Sequence, residues 1–520
     1  MSNEGEGSPK SLDEDVYESE ASTRRITASM LYNIVKCEHR VWMDLYGNPE
    51  ERDAPSGFVE LLWRHGRAHE EEVVGRKSGS MLDIRSHPVR ERERLTSEAM
   101  ARKEPLIFGG RISVDDLLGE PDLLRLENGG YVPGDIKAGA AEEDAGEDDS
   151  RPKKHYAVQL ALYVDVLERL SISDGSRRAF VWDVRGEEVF YELAAPKSAK
   201  NVSTLWDDYQ QSLNLARSIV ADKYRSFPAY GSICKNCWWY SSCIKELKRL
   251  DDITLIPELG RSRREPLRPL VASVKELAAS RLEHFLNEKG KSVIKGIGEA
   301  SLAKYHARAR LQASCGEPYA RGDLNLPTPA LEIAFDIETD PMRDHCYLHG
   351  FLERRADGAP SRGYVPFFSV APTPEAERAA FAEAWNYVKS SQPCVLYIYS
   401  KYERTWWRKL REQYPEICSA EELEAVFAPT VTVDLFYDVV LASTEWPTYD
   451  YSLKTLAKYS GFKWRDSHPS GAASIEWYDR YVLGGNVEEA RQRILDYNED
   501  DCKATFAVLD KLRALPVKTV

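Results

Sequence analysis

The sequence predicts an α/β protein of about three domains. Its 520 residues exceed one ordinary domain, since a domain usually takes roughly 100–200 residues. Short apolar runs bounded by turn residues alternate with stretches of helical periodicity, which is typical of a mixed α/β chain. Asn128-Gly129, placed between two apolar runs, is the strongest short signal for a β-hairpin.

Composition and charge exclude several classes of protein. The apolar runs are too short to cross a membrane and residues 1–24 carry no secretory pattern, so we expect a cytoplasmic protein without a membrane partner. Nine cysteines at irregular spacing argue against an extracellular disulfide framework. Residues 1–20 and 141–150 together carry −12 of the net charge of −14, and we expect both to be solvated or disordered. The nearly neutral remainder permits nucleic acid binding without arguing for it.

The first half is predicted to alternate helices and strands. Residues 1–24 form an acidic disordered tail, and residues 25–250 form the first domain. Helices are predicted from the apolar periodicity and strands from runs of apolar and β-branched residues. The predicted helices are 27–46, 58–75, 155–170 and 198–224, and the predicted strands are 105–112, 123–126, 131–136, 178–184 and 188–193.

The hairpin around Asn128-Gly129 carries the first candidate site. Asp135 and Lys137 lie two residues apart on one strand, so both side chains point to the same face. Asp122 begins the other strand and can reach that face. Two carboxylates and a lysine at one place suit metal-dependent phosphodiester hydrolysis, because carboxylates hold hard divalent ions and a lysine stabilises developing charge. The alternative is an ordinary hairpin with surface charges.

A cysteine-rich loop follows the last helix of this domain. Cys234, Cys237 and Cys243 have the spacing C-x2-C-x5-C, which supplies three thiolates from a compact segment. A closed structural zinc site needs four ligands, and Cys37 could supply the fourth. Four thiolates beside aromatic residues favour a cubane iron–sulfur cluster over zinc, and over reduced cysteines that hold no metal.

Residues 25–250 resemble the RecB-type branch of the PD-(D/E)xK nucleases, in the iron–sulfur version seen in AddB and in CRISPR adaptation nucleases. The resemblance rests on an ordered set of features: Gly66-x-x-His69, Pro121-Asp122, Asp135-Ile-Lys137, Gln159-x-x-x-Tyr163 and the four cysteines. It implies a restriction-endonuclease-like core stapled by a 4Fe-4S cluster on Cys37, Cys234, Cys237 and Cys243. It further implies that His69, Asp122 and Asp135 bind Mg²⁺ or Mn²⁺, that Lys137 is catalytic, and that Gln159 and Tyr163 position the substrate. Asp135 stands where the family often has Glu.

Residues 251–329 are predicted to be a basic helical segment. Two apolar-x-Gly-like turns, at residues 256–260 and 294–298, each lead into a helix, with Glu258 where the first turn should have Gly. Such turns resemble helix-hairpin-helix units, whose helix N-termini offer backbone N–H groups to phosphate. The alternative is a plain helical linker. The candidate nucleic-acid-binding residues are Arg261, Arg264, Lys295 and Arg308.

Residues 330–520 are predicted to form a second α/β domain that carries its own acidic site. An apolar strand ends in Asp336 and Glu338, two residues apart on one face, and two further strands complete a meander. Glu403 opens a helix after the next strand, and Asp434 ends another strand. Tyr497 and Asp501, four residues apart, share one face of the last long helix. These carboxylates could share two divalent ions.

This half resembles the RNase H-fold DEDD exonucleases of the tyrosine-bearing subgroup, close to YprB-like domains. Asp336 and Glu338 match the first motif of that family and Tyr497-x-x-x-Asp501 matches the third, whereas Glu403 stands where the family usually has Asp. The resemblance implies Mg²⁺ or Mn²⁺ held by Asp336, Glu338, Glu403 and Asp501, with Tyr497 catalytic, and a 3′→5′ polarity. The whole layout resembles a family of RecB-like nucleases that joins these parts.

Two hypotheses about function follow. The first is a two-centre, metal-dependent nuclease that acts on nucleic acid, with DNA favoured over RNA and single strands or ends favoured as substrates. The second is a nucleic-acid-binding adaptor or scaffold of a helicase or defence complex, in which one or both centres are inactive. The sequence has no Walker A pattern, so a helicase would be a separate partner.

Overall fold

A computed structural model describes residues 25–55, 57–77, 81–146, 149–184, 186–198, 201–355, 358–467 and 469–518; the predicted acidic tail, residues 1–24, lies outside them. The chain divides into two compact units, one of Met1–Tyr46 with His69–Ser226 and one of Gly47–Ala68 with Phe227–Val520. The predicted boundaries at 250 and 329 stay a prediction, and residues 251–329 belong to the second unit. Among the described residues, no helix is both long and apolar enough to cross a membrane.

The first unit combines a mixed sheet with helices. Its strands are β1 (Ile26–Thr27), β2 (Leu82–Asp83), β3 (Leu106–Phe108), β4 (Ile112–Val114), β5 (Leu117–Gly119), β6 (Leu123–Glu127), β7 (Gly130–Ile136), β8 (Glu142–Gly146), β9 (Asp149–Pro152), β10 (Arg178–Trp182), β11 (Glu188–Glu192), β12 (Pro196–Ser198) and β13 (Asn201–Thr204). Its helices are α1 (Ala28–Tyr46), the second part of α2 (Gly57–Lys77), α3 (Val89–Ala101), α4 (Lys154–Arg169) and α5 (Leu205–Val220).

The predicted hairpin lies at the centre of this unit. Strands β6 and β7 are antiparallel and are joined by Asn128 and Gly129, whose φ values of +48° and +88° are the positive pair that a type I′ turn requires. The six-stranded sheet has the order β11-β10-β7-β6-β3-β2, with β10 parallel to β7. Helix α4 packs against β7 and β10, and its apolar face fills the main core of the unit.

Three local features of this unit differ from the sequence predictions. The strand predicted at 105–112 is divided, because the chain turns at Gly109, which has a φ of +67° and packs closely on Arg85. Helix α1 is interrupted at Cys37, whose φ of −164° and ψ of 104° are not helical. The acidic stretch expected to be disordered contributes the antiparallel pair β8 and β9.

The second unit contains a sheet, the C-terminal helices and the middle segment. Its strands are β14 (Tyr319–Ala320), β15 (Leu331–Asp340), β16 (His345–Arg355), β17 (Tyr364–Phe368), β18 (Val395–Ile398), β19 (Thr432–Asp434) and β20 (Thr444–Glu445). Its helices, besides the first part of α2, are α6 (Tyr240–Leu250), α7 (Gly260–Leu267), α8 (Val274–Ala279), α9 (Glu299–Ala313), α10 (Pro374–Ser390), α11 (Tyr402–Gln413), α12 (Ala420–Val426), α13 (Leu453–Tyr459), α14 (Gly471–Val482) and α15 (Val487–Arg513).

Strand β15 occupies the middle of a five-stranded sheet with the order β17-β16-β15-β18-β19. Strands β15, β16 and β17 form the predicted antiparallel meander, and β18 and β19 run parallel to β15. One hydrophobic core lies under α15, which packs on β15 and β16, and a second core contains the tryptophans of α10 and α11. A central strand covered on both sides can bury acidic side chains at its end.

The middle segment is helical, as predicted, and has an apolar core of its own around α7, α8 and α9. Glu258 and Gly296 occupy matching positions in the two turns that precede α7 and α9, and both have positive φ, +66° and +77°. That left-handed conformation favours glycine, which explains why the pattern expects Gly at position 258. The assignment of helix-hairpin-helix units stays a prediction.

Two arginines predicted to bind nucleic acid are used inside the fold instead. Arg264 is 2% exposed and donates to the Pro228 carbonyl oxygen. Arg308 is 0% exposed, and its Nε donates to Glu445 Oε2 at 2.7 Å. A guanidinium group buried in this way cannot reach a phosphate in solvent, so the prediction is wrong for both residues.

Arg308→Met should destabilise the second unit. It removes the closer guanidinium partner of Glu445, which is 2% exposed, and leaves Arg321 at 3.8 Å. Breaking a buried ion pair on one side commonly costs about 3–5 kcal/mol, so we expect the free energy of unfolding in urea to fall by that order. Lys295→Met is the matched control, because Lys295 is exposed. Equal unfolding curves for the two variants would contradict a structural role for Arg308.

Candidate active sites

The first candidate site is built on the hairpin of β6 and β7. Asp122 lies just before β6, Asp135 lies in β7, and Lys137 follows β7. The Ile136 backbone N–H donates to Asp122 Oδ2 at 2.9 Å, and the Asp122 N–H lies 3.4 Å from Asp135 Oδ1. The register of the two strands therefore brings both carboxylates together, as the sequence predicts.

Burial and charge perturb this group. Burial, followed by the negative charge of Asp135, raises the pKa of Asp122 to about 6, while Lys137 opposes the shift. The Lys137 Nζ lies 2.8 Å from Asp135 Oδ2. Burial by itself lowers the pKa of Lys137, but the charges of Asp135 and Asp122 outweigh it and the net shift is upward. Lys137 is therefore a charged ammonium group held beside two carboxylates.

Gln159 and Tyr163, both on α4, reach the site through Lys137. Gln159 Oε1 accepts from Lys137 Nζ at 3.3 Å, and Gln159 Nε2 donates to the Tyr163 hydroxyl at 3.2 Å. The Tyr163 hydroxyl donates to the Glu120 carbonyl oxygen at 3.3 Å. Burial raises the pKa of Tyr163 well above its usual range, so this hydroxyl stays protonated. The contacts present in the structure orient the lysine; the predicted contact with substrate stays a prediction.

His69 lies in the same unit, and its Nε2 is 3.2 Å from the Asp183 carbonyl oxygen. Its role as a metal ligand stays a prediction. Sequence reasoning missed Arg85, which forms an ion pair with Glu70 and has a guanidinium nitrogen 3.9 Å from Asp122 Oδ1. No sequence signal points to Arg85, because the two carboxylates it faces come from separate elements.

The second candidate site lies at the end of the central strand β15. Asp336 and Glu338 of β15 and Asp501 of α15 each offer a carboxylate oxygen, and these oxygens all lie within 4.8 Å of one another. Within the described residues this is the one such group of three possible ligands. A cleft of about 170 Å³ opens onto it and is also lined by Tyr402 and Tyr497.

The electrostatics of this group favour a bound cation. Burial raises the pKa of Asp336 well above its usual range, and the charges of Asp501, Glu338 and Glu403 add to the effect. Burial, followed by the charge of Asp501, raises the pKa of Glu338 to about 8. Buried carboxylates that raise one another's pKa carry an uncompensated charge when ionised, and a hard divalent ion with oxygen ligands would balance it.

Glu403 lies in the first turn of α11, outside the 4.8 Å group. Its Oε2 is buried and has no hydrogen-bond partner among the described residues. Burial raises the pKa of Glu403 to about 8, and the charge of Asp434 adds to the shift. Asp434 Oδ1 accepts from the backbone N–H groups of Phe436 and Tyr437, both at 2.9 Å, which is a structural cap. Glu403 is thus a buried carboxylate that faces the site without joining its closest group.

Sequence reasoning missed two partners of Asp501, Lys454 and Trp464, and the first of them also contacts Tyr497. Lys454 Nζ donates to the Tyr497 hydroxyl at 2.6 Å and lies 3.7 Å from Asp501 Oδ2. Trp464 Nε1 donates to Asp501 Oδ1 at 2.6 Å. Lys454 could have been noticed, because it lies in the first turn of α13, where the helix dipole disfavours a cation.

Asn498 is the third residue of the second site that sequence reasoning missed. Its Nδ2 donates to Asp336 Oδ2 at 2.7 Å, and its Oδ1 accepts from the Tyr364 hydroxyl at 2.8 Å. Gly350 of β16 makes room for it, since a Cβ at that position would lie 1.6 Å from Asn498 Oδ1. The position of Asn498 next to Tyr497 is a signal that the sequence contains. Its partners Asp336 and Tyr364 lie far away in the sequence and are seen only in the folded structure.

The four cysteines predicted to hold a cluster are half-buried. Cys37 lies in the first unit, and Cys234, Cys237 and Cys243 lie in the second. Cys234 lies in a 3₁₀ turn, Ser232–Asn236, and Cys243 lies in α6. The cluster on Cys37, Cys234, Cys237 and Cys243 stays a prediction.

Two known families match the segments that carry the two candidate sites. Residues 37–244 match the PD-(D/E)XK nuclease superfamily, and residues 333–513 match the RNase H superfamily. The chain contains an N-terminal PD-(D/E)XK domain and a C-terminal RNase H-like domain. The first match includes Asp122, Asp135 and Lys137, and the second includes the group of three carboxylates. The two domains support a metal-dependent nuclease in general. Comparison with curated proteins gave no match.

The stability of the RNase H-like domain should depend on pH and metal together. Glu338 and Glu403 have a pKa of about 8 in the folded, metal-free protein and an ordinary value of 4.5 when unfolded. Protonation of these two carboxyl groups therefore stabilises the folded domain fully below about pH 4.5, and this contribution to the free energy of unfolding is lost as the pH rises through about 8. Mg²⁺ must displace these protons, so it should raise the melting temperature more at the upper end of this window.

Thermal melts in EDTA and in Mg²⁺ across this pH window measure the effect. Glu338→Gln, which is neutral at every pH, should weaken both the pH dependence and the Mg²⁺ shift. The expectation is wrong if wild type and variant gain the same stability from Mg²⁺ at every pH.

Proposed function

We propose that this protein is a nuclease with two metal-dependent centres that hydrolyses phosphodiester bonds, with DNA favoured over RNA and single strands or ends as substrates. The observation that carries the proposal is the group of Asp336, Glu338 and Asp501, of which the first is half-buried and the other two are buried. Ionising several neighbouring carboxyl groups out of contact with water is unfavourable unless a cation is present. Divalent ions are the cofactors that such sites use in phosphoryl chemistry. We therefore propose Mg²⁺ or Mn²⁺ as the ion that serves both centres.

At the first centre, Asp122 and Asp135 would hold the divalent ion, with His69 as the proposed third ligand. A bound ion supplies polarisation of the phosphate and a water of lowered pKa. Lys137 is kept charged by Asp135 and is held in place by Gln159, so its ammonium group can stabilise the charge that develops on the phosphate. The Tyr163 hydroxyl fixes Gln159 in turn.

At the second centre, Asp336, Glu338, Glu403 and Asp501 would hold the metal. Burial and the surrounding carboxylates raise the pKa of Tyr497 well above its usual range, so its hydroxyl stays protonated. Lys454 holds this hydroxyl, and Tyr497 can then orient a water or the substrate by donating a hydrogen bond. The 3′→5′ polarity rests on the resemblance to DEDD exonucleases.

The middle segment would contact the nucleic acid backbone through its two turns. Arg261 and Lys295 remain the candidates, since Lys295 is exposed and Arg261 is half-exposed. Both follow or lie in turns whose positive φ at Glu258 and Gly296 bends the chain sharply before a helix. Helix N-termini of this kind bind phosphate without reading sequence.

A 4Fe-4S cluster on Cys37, Cys234, Cys237 and Cys243 completes the proposal. The spacing of the last three cysteines supports it, as does the interruption of α1 at Cys37, which frees this residue from helical geometry. Four thiolates are the usual ligand set for such a cluster. The cluster would stabilise the fold and take no part in hydrolysis.

A second candidate function is favoured by Glu403. This carboxylate stands outside the closest group and in place of the shorter Asp that the resemblance expects. An RNase H-like domain without a fourth ligand would bind nucleic acid without cutting it. The protein would then have one live centre and a scaffold domain that serves a helicase or defence complex.

Substitutions at each centre separate these functions. Asp122→Ala or Lys137→Ala should abolish one cleavage activity while binding persists, because a lost ligand or charge commonly costs about a thousandfold or more in rate. Asp336→Ala combined with Asp501→Ala should leave that activity intact and remove a distinct trimming of 3′ ends. The assay uses end-labelled single and double strands in Mg²⁺ or Mn²⁺, with EDTA as the blank.

Glu403→Asp is the informative control at the second centre. A gain in trimming would show a site weakened by the longer side chain, and a loss would show a site tuned to Glu. Absence of trimming in both forms would favour the scaffold function. Cleavage that survives replacement of Asp122, Lys137, Asp336 and Asp501 together would refute the nuclease assignment.

Anaerobic purification tests the cluster. The protein should be brown and contain iron and sulfide in equal amounts, and Cys37→Ser should bleach it and lower its melting temperature, because one ligand is lost. Cys315→Ser is the matched control, since Cys315 is an exposed cysteine outside the predicted set. Stoichiometric zinc without iron would exclude the cluster.

A further inference from the structure

Lysine and tyrosine side chains gather beside the first centre, and the roles given above use only one of them. Tyr32 and Lys36 lie on α1, Tyr156 lies on α4, Lys153 immediately precedes α4, and Lys137 belongs to the centre itself. We call these five residues the lysine–tyrosine cluster. All belong to the first unit.

The two aromatic rings place the ammonium groups close to one another. Lys137 Nζ and Lys153 Nζ each lie 5.5 Å from the centroid of the Tyr156 ring. Lys36 Nζ lies 5.9 Å from the centroid of the Tyr32 ring, and the two rings are 6.2 Å apart and inclined by 28°. Cation–π contacts of this kind hold a lysine at a fixed place while its ammonium group remains available to an anion.

The positive charge of the cluster is only partly balanced within the protein. Lys137 has Asp135 as its partner, but neither Lys36 nor Lys153 has an ion pair among the described residues. Lys153 Nζ instead donates to the Ala140 carbonyl oxygen at 2.7 Å. The charge of Glu143 acts on Lys36 in the opposite sense, but Glu143 itself pairs with Arg151 at 2.9 Å.

The neighbouring titratable groups respond to this excess of positive charge. Burial lowers the pKa of Lys36, the charge of Lys153 lowers it further, and Glu143 opposes them. Burial lowers the pKa of His155 to about 3, and the charges of Lys36, Lys153 and Lys137 add to that shift. His155 is therefore neutral, and the cluster presents a positive potential that an anion would relieve.

We propose that Lys36 and Lys153 form a binding site for backbone phosphates that flank the bond cleaved at the first centre. The proposal rests on the proposed nuclease function, because Lys137 links the cluster to the two carboxylates. Tyr32 and Tyr156 are positioning residues that hold the ammonium groups. The site recognises phosphate alone, so it would accept either a single strand or a duplex without sequence preference.

The chain supplies a matched control next to Lys153. Lys154 is the adjacent residue, but its Nζ pairs with Asp208 Oδ1 at 3.0 Å, and Lys197 lies at the other oxygen of that carboxylate. Lys154 thus has the same charge and nearly the same place in the sequence, but its ammonium group is already paired with a carboxylate. Removing it changes the net charge of the protein by as much as removing Lys153.

Binding of labelled oligonucleotides in EDTA, measured by fluorescence anisotropy against salt concentration, tests the proposal. Each phosphate contact contributes about 0.7 to the log–log salt slope for a single strand and about 0.9 for duplex DNA. Lys36→Gln and Lys153→Gln should each lower the slope by about that amount on the form that the site binds. Lys154→Gln, Lys36→Arg and Lys153→Arg should keep the wild-type slope.

The outcomes decide between a built site and general surface charge. Equal slopes for wild type, Lys36→Gln and Lys153→Gln would overturn the proposal. Equal losses for Lys153→Gln and Lys154→Gln would also overturn it, because net charge alone would then explain binding. Comparison of the single-strand and duplex arms identifies which form of nucleic acid the site holds.

A cleavage assay separates this proposal from the proposed function. In Mg²⁺, Lys36→Gln and Lys153→Gln should raise KM several-fold and leave kcat nearly unchanged, because flanking phosphates are bound alike in the ground and transition states. A fall in kcat with KM constant would show that these lysines act on the reacting phosphate and would refute a flanking site. If no variant or wild type cleaves, the nuclease function fails while the salt slopes still decide phosphate binding.

Discussion

Mutual repulsion between buried carboxylates is the constraint on which both domains depend. Each sheet presents acidic side chains from its inner strands or from the ends of those strands, where water screens them poorly. At the first site Lys137 and a backbone N–H reduce the repulsion between the two carboxylates, and the pKa of Asp122 is raised only to about 6. The second site has more acids, with Lys454 beside them, and its carboxylates are perturbed more strongly. A divalent cation, as proposed above, would balance the charge of the ionised carboxylates.

The strands and helices around each site hold these acidic side chains at fixed places. In the first unit a type I′ hairpin fixes the register of Asp122 and Asp135, and α4 lays Gln159 against Lys137. In the second unit a strand covered on both faces supplies two acids, and α15 supplies the third. Hydrogen bonds from Asn498 and Trp464 then orient single carboxylate oxygens. Rigid elements of this kind pre-organise a site before any ligand binds.

The basic residues show why charge alone is a poor guide to function. Arg264 and Arg308 sit in a basic stretch after glycine-containing turns, yet both are buried. Arg308 is held by Glu445, which lies 137 residues away in the sequence, so no local pattern could reveal the pair. Lys153 and Lys154 illustrate the same point at neighbouring positions, since Lys153 joins the lysine–tyrosine cluster and Lys154 is paired with Asp208.

The sequence alone determined the two α/β domains, the hairpin, the order of the strands along the meander and the acidic residues of both sites. These follow from local physics, because turn residues, strand alternation and helical spacing decide which side chains share a face. Only the tertiary structure decided that Glu403 stands apart from the closest group of carboxylates, and that Asn498, Lys454 and Arg85 complete the sites. These depend on burial and on contacts between distant segments, which set the local dielectric and the partners of each charge, and no short stretch of sequence contains that information.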